Sequence, residues 1–255
     1  MNLSKEYIRS LNQWKNVADK LDTTNLYTDK EEYIYPGDED IIHTFNEKVQ
    51  QDFKFILGIP PEPFQGNPLK AKVIILSLNP GYIEQVNCKL AQMLRTDIIK
   101  EIVAEKKRTL NLDADSFFTH DAINVLGDWY WYNRFKGLKE EIGQSDINFF
   151  KKVALIQFIA YSSFSFDDLP RNSFLPSQDF TKLLIRYIAA ECQNTVFLIL
   201  RGKNKWKKLI DDDVWINLEE SGRLICKPTH IRTQAISRAT LGDNEYNKLL
   251  NILKK

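Results

Sequence analysis

An uninterrupted apolar run at residues 73–78 constrains the fold most, because it contains no charge and is led by β-branched side chains. Such a run is typical of a strand that is buried on both faces, as in a parallel sheet covered by helices. It ends at Asn79-Pro80-Gly81, where proline lacks the N–H that a further ladder bond requires. Ligands of open α/β sheets bind beyond the carboxyl ends of the strands, so Asn79 is a candidate functional residue. The alternative is an Asn-Pro turn with a purely structural role.

Three further apolar runs predict strands at residues 153–160, 195–200 and 223–226, and helical stretches separate them. This alternation favours right-handed crossovers, so we expect a three-layer αβα fold with a central, mostly parallel four-stranded sheet. The strands would deliver four residues to one edge, namely Asn79, Tyr161, Arg201 and Lys227. We expect a single α/β domain over residues 1–255.

The N-terminal part of the chain is predicted to be a helical extension over residues 1–57. Apolar residues recur at three- and four-residue intervals over residues 4–21, which predicts one amphipathic helix with Ser4 as its N-cap. The first residues lack the apolar core of a signal peptide, and no apolar stretch is long enough to span a membrane, so we expect a cytoplasmic protein.

Composition excludes several classes of protein. The net charge of +1 indicates that any nucleic-acid site must be a local basic patch. Three separated cysteines argue against a disulfide framework and against an iron–sulfur cluster, and the three histidines do not have metal-ligand spacing. We therefore expect neither a metal nor an organic cofactor, and we separately expect a monomer.

Two separated motifs, Ser-Leu-Asn-Pro-Gly at residues 77–81 and Lys-Pro-Thr-His at 227–230 with Gln-Ala at 234–235, together resemble the uracil-DNA glycosylase superfamily. Residues 77–81 (Ser-Leu-Asn-Pro-Gly) are similar to the Gly-x-Asn-Pro-Gly segment of its mismatch-specific and single-strand-selective branches. Residues 227–230 (Lys-Pro-Thr-His), followed by Gln-Ala at 234–235, are similar to the second motif, His-Pro-Ser-Pro followed by Gln-Ala. Each motif directly follows an apolar strand in the family's order, and the similar layout covers residues 70–240.

The resemblance implies a glycosylase site in which the first-motif Asn or Asp positions a water below the sugar C1′ of a flipped nucleotide. Asn79 would hold that water, and Lys227, which stands in place of the family's His, would support negative charge on the base. Gln157 stands where the family uses an Asn to read uracil. The implied substrate-binding residues are Ser77, Pro80, Gly81, Tyr82, Gln157, Tyr161, Thr229 and His230.

Basic residues that follow the third and fourth strands offer a local path for a DNA backbone. These residues are Arg201, Lys203, Lys205, Arg232 and Arg238. The alternative interpretation is an ordinary exposed helix face.

Three functions are compatible with the sequence. The first is a DNA glycosylase that removes a damaged or deaminated, uracil-type base from single- or double-stranded DNA. The second is a catalytically inactive protein that binds nucleic acid, a nucleotide or a base, which Lys227 favours because the catalytic His is missing. The third is a hydrolase of free nucleosides or modified bases, which the low net charge permits.

Overall fold

The computed structural model describes residues 4–24, 33–82, 97–117, 130–170, 173–228 and 234–255. The described helices, in chain order, are α1 (Lys5–Leu11), α2 (Trp14–Lys20), α3 (Glu39–Lys48), α4 (Asp97–Leu110), α5 (Tyr130–Ile142), α6 (Asp146–Phe150), α7 (Pro176–Glu191), α8 (Lys203–Leu209), α9 (Asp212–Glu220), α10 (Arg238–Leu241) and α11 (Asp243–Lys254). The strands are β1 (Phe64–Gln65), β2 (Val73–Ser77), β3 (Val153–Gln157), β4 (Val196–Ile199) and β5 (Leu224–Cys226).

The protein is an α/β protein whose strands form one sheet in the order β1-β3-β2-β4-β5. Strand β4 pairs in parallel with both β2 and β5. Strand β3 is also parallel to β2, because Val73 N–H donates to Lys152 at one end and Ile159 N–H donates to Leu78 at the other. The four apolar runs are therefore neighbouring parallel strands, as the sequence predicts.

The expectation of four strands is wrong, because the two-residue β1 adds a fifth strand at the edge of the sheet. Strand β1 is antiparallel to β3, because the Pro63 carbonyl accepts from Gln157 N–H and Gly66 lies beside the Val153 carbonyl. A Cβ at Gly66 would lie 2.7 Å from that carbonyl oxygen, and φ there is +72°, so both the close approach and the backbone angle require glycine.

Both faces of the central strands are buried, which explains why their sequences are continuously apolar rather than alternating. One face packs with α5, α6 and α11 in a core that includes Val73, Ile75, Val153, Leu155, Val196 and Leu198. The residues of opposite parity are buried to a similar extent, namely Ile74, Leu76, Ala154, Ile156, Phe197 and Ile199.

The chain divides into two compact units. The first unit comprises Met1–Phe64, Leu78–Ala114 and Gln157–Leu184, and the second comprises Gln65–Ser77, Asp115–Ile156 and Ile185–Lys255. Most of the sheet belongs to the second unit. The N-terminal helices belong to the same unit as Asn79 and the residues that follow β3.

An aromatic cluster forms the centre of the first unit. The Trp14 ring lies 4.7 Å from that of Tyr35 and 6.3 Å from that of Tyr161, measured between ring centroids. The Phe55 ring stacks on Phe45 at 4.7 Å and lies 5.9 Å from Tyr161. Tyr161 is therefore fixed by aromatic packing contributed by the N-terminal part of the chain.

The predicted helix over residues 4–21 is divided into α1 and α2. Ser4 caps α1 as expected, with its hydroxyl accepting from Tyr7 N–H at 3.1 Å. The division occurs at Asn12, whose side-chain oxygen accepts from Trp14 N–H while its Nδ2 donates to the Leu110 carbonyl at 2.6 Å. A buried side chain that bonds the backbone in this way competes with a continuous helix. Among the described helices, none has the length and apolar content needed to cross a lipid bilayer.

Candidate active site

The Asn79 side chain is buried and bonded to residues 161–165, which we call the clamp segment. Its Nδ2 donates to the Ser163 hydroxyl at 2.8 Å and to the Tyr161 carbonyl at 3.4 Å. Only 7% of Asn79 is exposed to solvent. The amide is therefore held in place by the protein itself, without any ligand.

The two acceptors also determine which way the amide points. The Tyr161 carbonyl can only accept, and the Ser163 hydroxyl donates its single proton to the Ser165 carbonyl at 2.7 Å. Both must face the NH2 group, so the amide oxygen Oδ1 points away from them. Within the described residues, no group donates to Asn79 Oδ1, including the backbone N–H groups that a turn-capping Asn would bind. This oxygen can accept a hydrogen bond from a water molecule or a ligand.

The turn after Asn79 runs beside the clamp segment. Ser163 N–H donates to the Pro80 carbonyl at 3.4 Å, and Tyr82 N–H donates to the Ser163 carbonyl at 3.0 Å. Gly81 pairs with Ser163 in an isolated bridge and does not have a positive φ, so the backbone conformation does not require glycine there. A Cβ added to Gly81 would meet no atom of the described residues within 4 Å. The missing side chain therefore leaves open space at Gly81, two residues after Asn79.

An aromatic pair lies at the end of this turn. The rings of Tyr82 and Phe164 meet edge to face, with centroids 4.7 Å apart and an interplanar angle of 70°. Phe164 belongs to the clamp segment and is 50% exposed, although phenylalanine is usually buried. An exposed ring beside an anchored polar group offers a flat apolar surface to a ligand.

Gln157, the last residue of β3, carries a buried polar atom with an unmet hydrogen-bonding requirement. The residue is 4% exposed, and among the described residues its side-chain Oε1 has no hydrogen-bond partner. A buried polar atom left unpaired destabilises a protein by about 1–3 kcal/mol. A ligand N–H that reached this oxygen would remove that penalty, so Gln157 is a candidate for ligand recognition.

The structure gives Tyr161 a different role from the predicted contact with substrate. Its hydroxyl donates to Asp38 Oδ2 at 2.7 Å and accepts from Tyr35 N–H at 3.0 Å, and the side chain is 1% exposed. Its backbone carbonyl, rather than its ring, contacts Asn79. Tyr161 therefore connects Asn79 to the N-terminal part of the chain.

Burial raises the pKa values of the three hydrogen-bonded groups Asp38, Tyr161 and Tyr35. The Asp38 carboxyl has a raised pKa because burial disfavours its charged form, although hydrogen bonds from Ser177 and Tyr161 partly oppose the rise. Burial also raises the pKa of Tyr161 well above its ordinary value and, with the nearby Asp38 and Asp179 charges, raises the pKa of Tyr35 to about 12. Neither tyrosine can act as a base at neutral pH.

Other predicted site residues belong to the second unit. Ser77 is the last residue of β2 and is buried. Lys227 follows β5, with its backbone N–H bonded to the Ile199 carbonyl at 2.9 Å and its side chain half-buried. Arg201 is exposed directly after β4, and Lys205 is half-buried on α8.

Two of the predicted DNA-backbone residues have acidic partners within the protein. Arg238 bonds Glu141 at 2.6 Å and Asp243 at 3.3 Å, but its side chain is 43% exposed, so these pairs do not prevent it from binding a phosphate. Lys203 lies 3.6 Å from Glu219, with both side chains 44% exposed. An exposed pair of this kind is weak, so Lys203 can still exchange its partner for a phosphate.

Thr229, His230 and Arg232, which the sequence assigns to the second motif and the DNA path, lie outside the described residues. Three residues that the sequence reasoning does not select are Ser163, Phe164 and Asp38. The serine and the phenylalanine stand in a short polar stretch after a strand, and the aspartate stands in a polar stretch beside Pro36-Gly37. Such stretches predict exposed loops, and only the fold brings Ser163 to Asn79 and Asp38 to Tyr161.

Comparison of this chain with protein-family models, with curated proteins and with solved structures found no match. Across the described part of the chain, no group of three or more His, Cys, Asp or Glu side chains is arranged to hold a metal ion. The geometry around Asn79 and the two sequence motifs are therefore the features that point to a function.

Proposed function

We propose that the protein is a DNA glycosylase with a uracil-DNA glycosylase-like αβα fold, which hydrolyses the bond between deoxyribose and a flipped, damaged or deaminated base. The observation that carries the proposal is the buried Asn79 amide, held through Nδ2 with its Oδ1 directed away from the protein acceptors. Such an oxygen can orient a water molecule for attack on the sugar.

The chemistry of N-glycosidic cleavage fits a site of this kind. As the bond breaks, the sugar gains positive character and the departing base gains negative charge, so aimed dipoles assist more than a strong nucleophile does. Asparagine cannot accept a proton at neutral pH, and the two buried tyrosines are held neutral by their raised pKa values. The site would therefore orient water by Asn79 and depend on a leaving base whose charge is stabilised elsewhere.

The side chain of Gln157 supports recognition of a base. Its unpaired Oε1 would accept a hydrogen bond from a ring N–H or an exocyclic amino group. The exposed Phe164 ring, packed against Tyr82, would provide a surface on which a flat base can stack. Together these groups favour a planar, N–H-bearing ligand over an aliphatic one.

The order of the strands also supports a ligand site after β2. From β2 the chain passes to β3 on one side and then to β4 on the other, so the order reverses between β2 and β4. Open α/β sheets bind ligands beyond the carboxyl ends of the strands at such a reversal. Asn79 follows the last residue of β2 by two positions.

A catalytically inactive, nucleic-acid- or nucleotide-binding protein is the second candidate. Lys227 favours it, because this residue stands where the resembled family has its catalytic His. A lysine could still stabilise an anionic base as a point charge, so both functions are open to test.

The test is a base-release assay on single- and double-stranded oligonucleotides that carry uracil or other deaminated or damaged bases, with alkali-labile abasic sites as the readout. Abasic product from at least one substrate, lost in Asn79→Ala, is the expected result. Salt-dependent binding without product would favour the second candidate. Neither binding nor release on any oligonucleotide would contradict both and direct attention to free nucleosides.

A further inference from the structure

We propose that Tyr161 and Asp38 are positioning residues for Asn79, so that residues 38–56 are a working part of the site rather than an appended helical segment. The inference rests on the proposed function for its effect on turnover. The expected effect on the Asn79 amide depends only on contacts within the protein.

The N-terminal part of the chain holds the clamp segment at three successive points. The Tyr161 hydroxyl donates to Asp38 at 2.7 Å, Ile56 N–H donates to the Ser162 carbonyl at 2.8 Å, and Ser165 N–H donates to the Asp52 carbonyl at 2.8 Å. Ser163 lies between these points and turns the other way, toward Asn79. The clamp segment therefore connects residues 38–56 to the functional amide.

Asp38 is itself immobilised, so it can act as a fixed point. It is fully buried, and its other carboxyl oxygen accepts from Ser177 N–H at 2.9 Å at the start of α7. The Trp14 and Phe55 rings pack beside the Tyr161 ring and prevent it from moving sideways. The tyrosine side chain has one polar atom, its hydroxyl oxygen. The hydrogen bonds of this hydroxyl to Asp38 and Tyr35 fix the ring along its own axis.

Losing the Tyr161–Asp38 hydrogen bond should change the orientation of the Asn79 amide rather than the affinity for a ligand. The Tyr161 carbonyl and the Ser163 hydroxyl set the Asn79 amide, and both belong to the segment that Asp38 holds. A shift of about 1 Å in a positioning group can reduce a rate by on the order of a hundredfold while binding contacts persist. Loss of the Tyr161–Asp38 bond should therefore loosen the Asn79 amide and reduce kcat more than it raises KM.

A buried Tyr–Asp hydrogen bond that only stabilises the fold would predict a lower melting temperature and nothing else. The matched control is Tyr132→Phe, which removes a tyrosine hydroxyl bonded at 3.0 Å to Asp146 in the second unit. The test variants are Tyr161→Phe and Asp38→Asn. Both variants keep every ring of the aromatic cluster, and having two of them means that the result does not depend on one variant folding.

The primary measurement is the solvent-exchange rate of the Asn79 side-chain NH2 protons by NMR, with the resonance identified by its absence in Asn79→Ala. We expect exchange to accelerate on the order of five- to tenfold in both test variants, the effect of weakening about one neutral hydrogen bond. Tyr132→Phe should leave the rate unchanged. The second measurement is kcat and KM on whichever oligonucleotide the wild-type protein cleaves.

The two measurements separate this inference from the proposed function. A faster Asn79 exchange in the test variants, with no base released even by the wild-type protein, would uphold the positioning role and reject the glycosylase. An unchanged Asn79 exchange rate in a folded Tyr161→Phe or Asp38→Asn protein would overturn the positioning role, whatever the wild-type protein does to DNA.

Discussion

Two acceptors surround the Asn79 Nδ2 atom, the Ser163 hydroxyl at 2.8 Å and the Tyr161 carbonyl at 3.4 Å. An aspartate at this position would present a second oxygen where these groups need a donor, and the Tyr161 carbonyl would then face a negative charge. The resembled family uses either Asn or Asp here, but the clamp segment of this protein selects the amide. Under the proposed function, Asn79 would therefore orient water rather than attack the sugar directly.

A substitution at Gly81 can affect ligand binding without affecting the stability of the fold. A Cβ at this position has open space around it, so Gly81→Ala should change the free energy of unfolding by no more than about 0.5 kcal/mol. If a ligand approaches Asn79 through that space, its affinity should fall on the order of tenfold, or about 1.4 kcal/mol. Thermal melting and oligonucleotide binding on the same variant provide the measurement.

The control for this substitution is Gly137→Ala, which adds a methyl group to another open position, on α5 in the second unit. It should leave binding unchanged and, as an Ala for Gly in a helix, raise stability by up to about 1 kcal/mol. Equal binding by wild type, Gly81→Ala and the control would show that no ligand uses the space beside Gly81.

At the scale of elements, the clamp segment brings together the groups that hold Asn79 and the exposed ring of Phe164. Its inner residues, Tyr161 and Ser163, are nearly inaccessible to solvent, whereas Phe164 between Ser163 and Ser165 is half exposed. A segment that is buried at its start and exposed at its end can fix a polar group and display an apolar one with the same backbone. The same segment would therefore serve both catalysis and binding.

The exposed ring yields a prediction about binding. Phe164→Leu should weaken binding to a single-stranded oligonucleotide by about 1–3 kcal/mol, the contribution of one base stacked on an aromatic ring. Phe174→Leu is the matched control, because Phe174 is also in the first unit and is 40% exposed. Fluorescence anisotropy with a labelled oligonucleotide measures both variants, and equal losses would mean that Phe164 has no special role.

The buried Asp38 makes the stability of this region depend on pH. Its folded-state pKa is raised by burial, so the folded protein binds this proton more tightly than the unfolded chain, where an aspartate titrates near about 3.9. The stabilisation linked to this proton is present in full below that value and is lost as the pH rises through the raised folded pKa. The melting temperature of the wild type relative to Asp38→Asn should therefore be higher at about pH 4 than at about pH 7.

Melting curves of both proteins across this pH range test the prediction, and taking the difference cancels the titration of the other groups. A difference that stays constant, or that grows in favour of the wild type toward neutral pH, would mean that Asp38 is not held with a raised pKa.

At the scale of the whole molecule, the sheet could be predicted because its signal is local. Four apolar runs of three or more residues correspond to β2, β3, β4 and β5, and burial on both faces explains why the runs of β2, β3 and β4 are continuous. Strand β1 was not predicted, since Phe64–Gln65 is too short to show a period and lies among prolines. The finer αβα likeness to the glycosylase family remains a proposal.

The candidate site was predictable only where its residues adjoin a strand. Asn79 stands directly after an apolar run, and Gln157 is the polar residue within another, at the position where the resembled family has its base-reading Asn. Ser163 and Asp38 were not identified, because their roles depend on contacts with residues more than 80 positions away along the chain. Sequence periodicity contains no information about such contacts.

The central claim is that Asn79 acts on the reacting centre, and Asn79→Ala tests it most directly. The control is Asn12→Ala, which removes another buried asparagine of the first unit, whose Nδ2 bonds the Leu110 carbonyl at 2.6 Å. Both variants should lose stability on the order of 1 kcal/mol through the missing hydrogen bonds. Turnover per folded molecule, measured as abasic sites formed in the cleaved oligonucleotide, should fall on the order of a hundredfold or more in Asn79→Ala alone. Unchanged turnover per folded Asn79→Ala molecule would contradict the account.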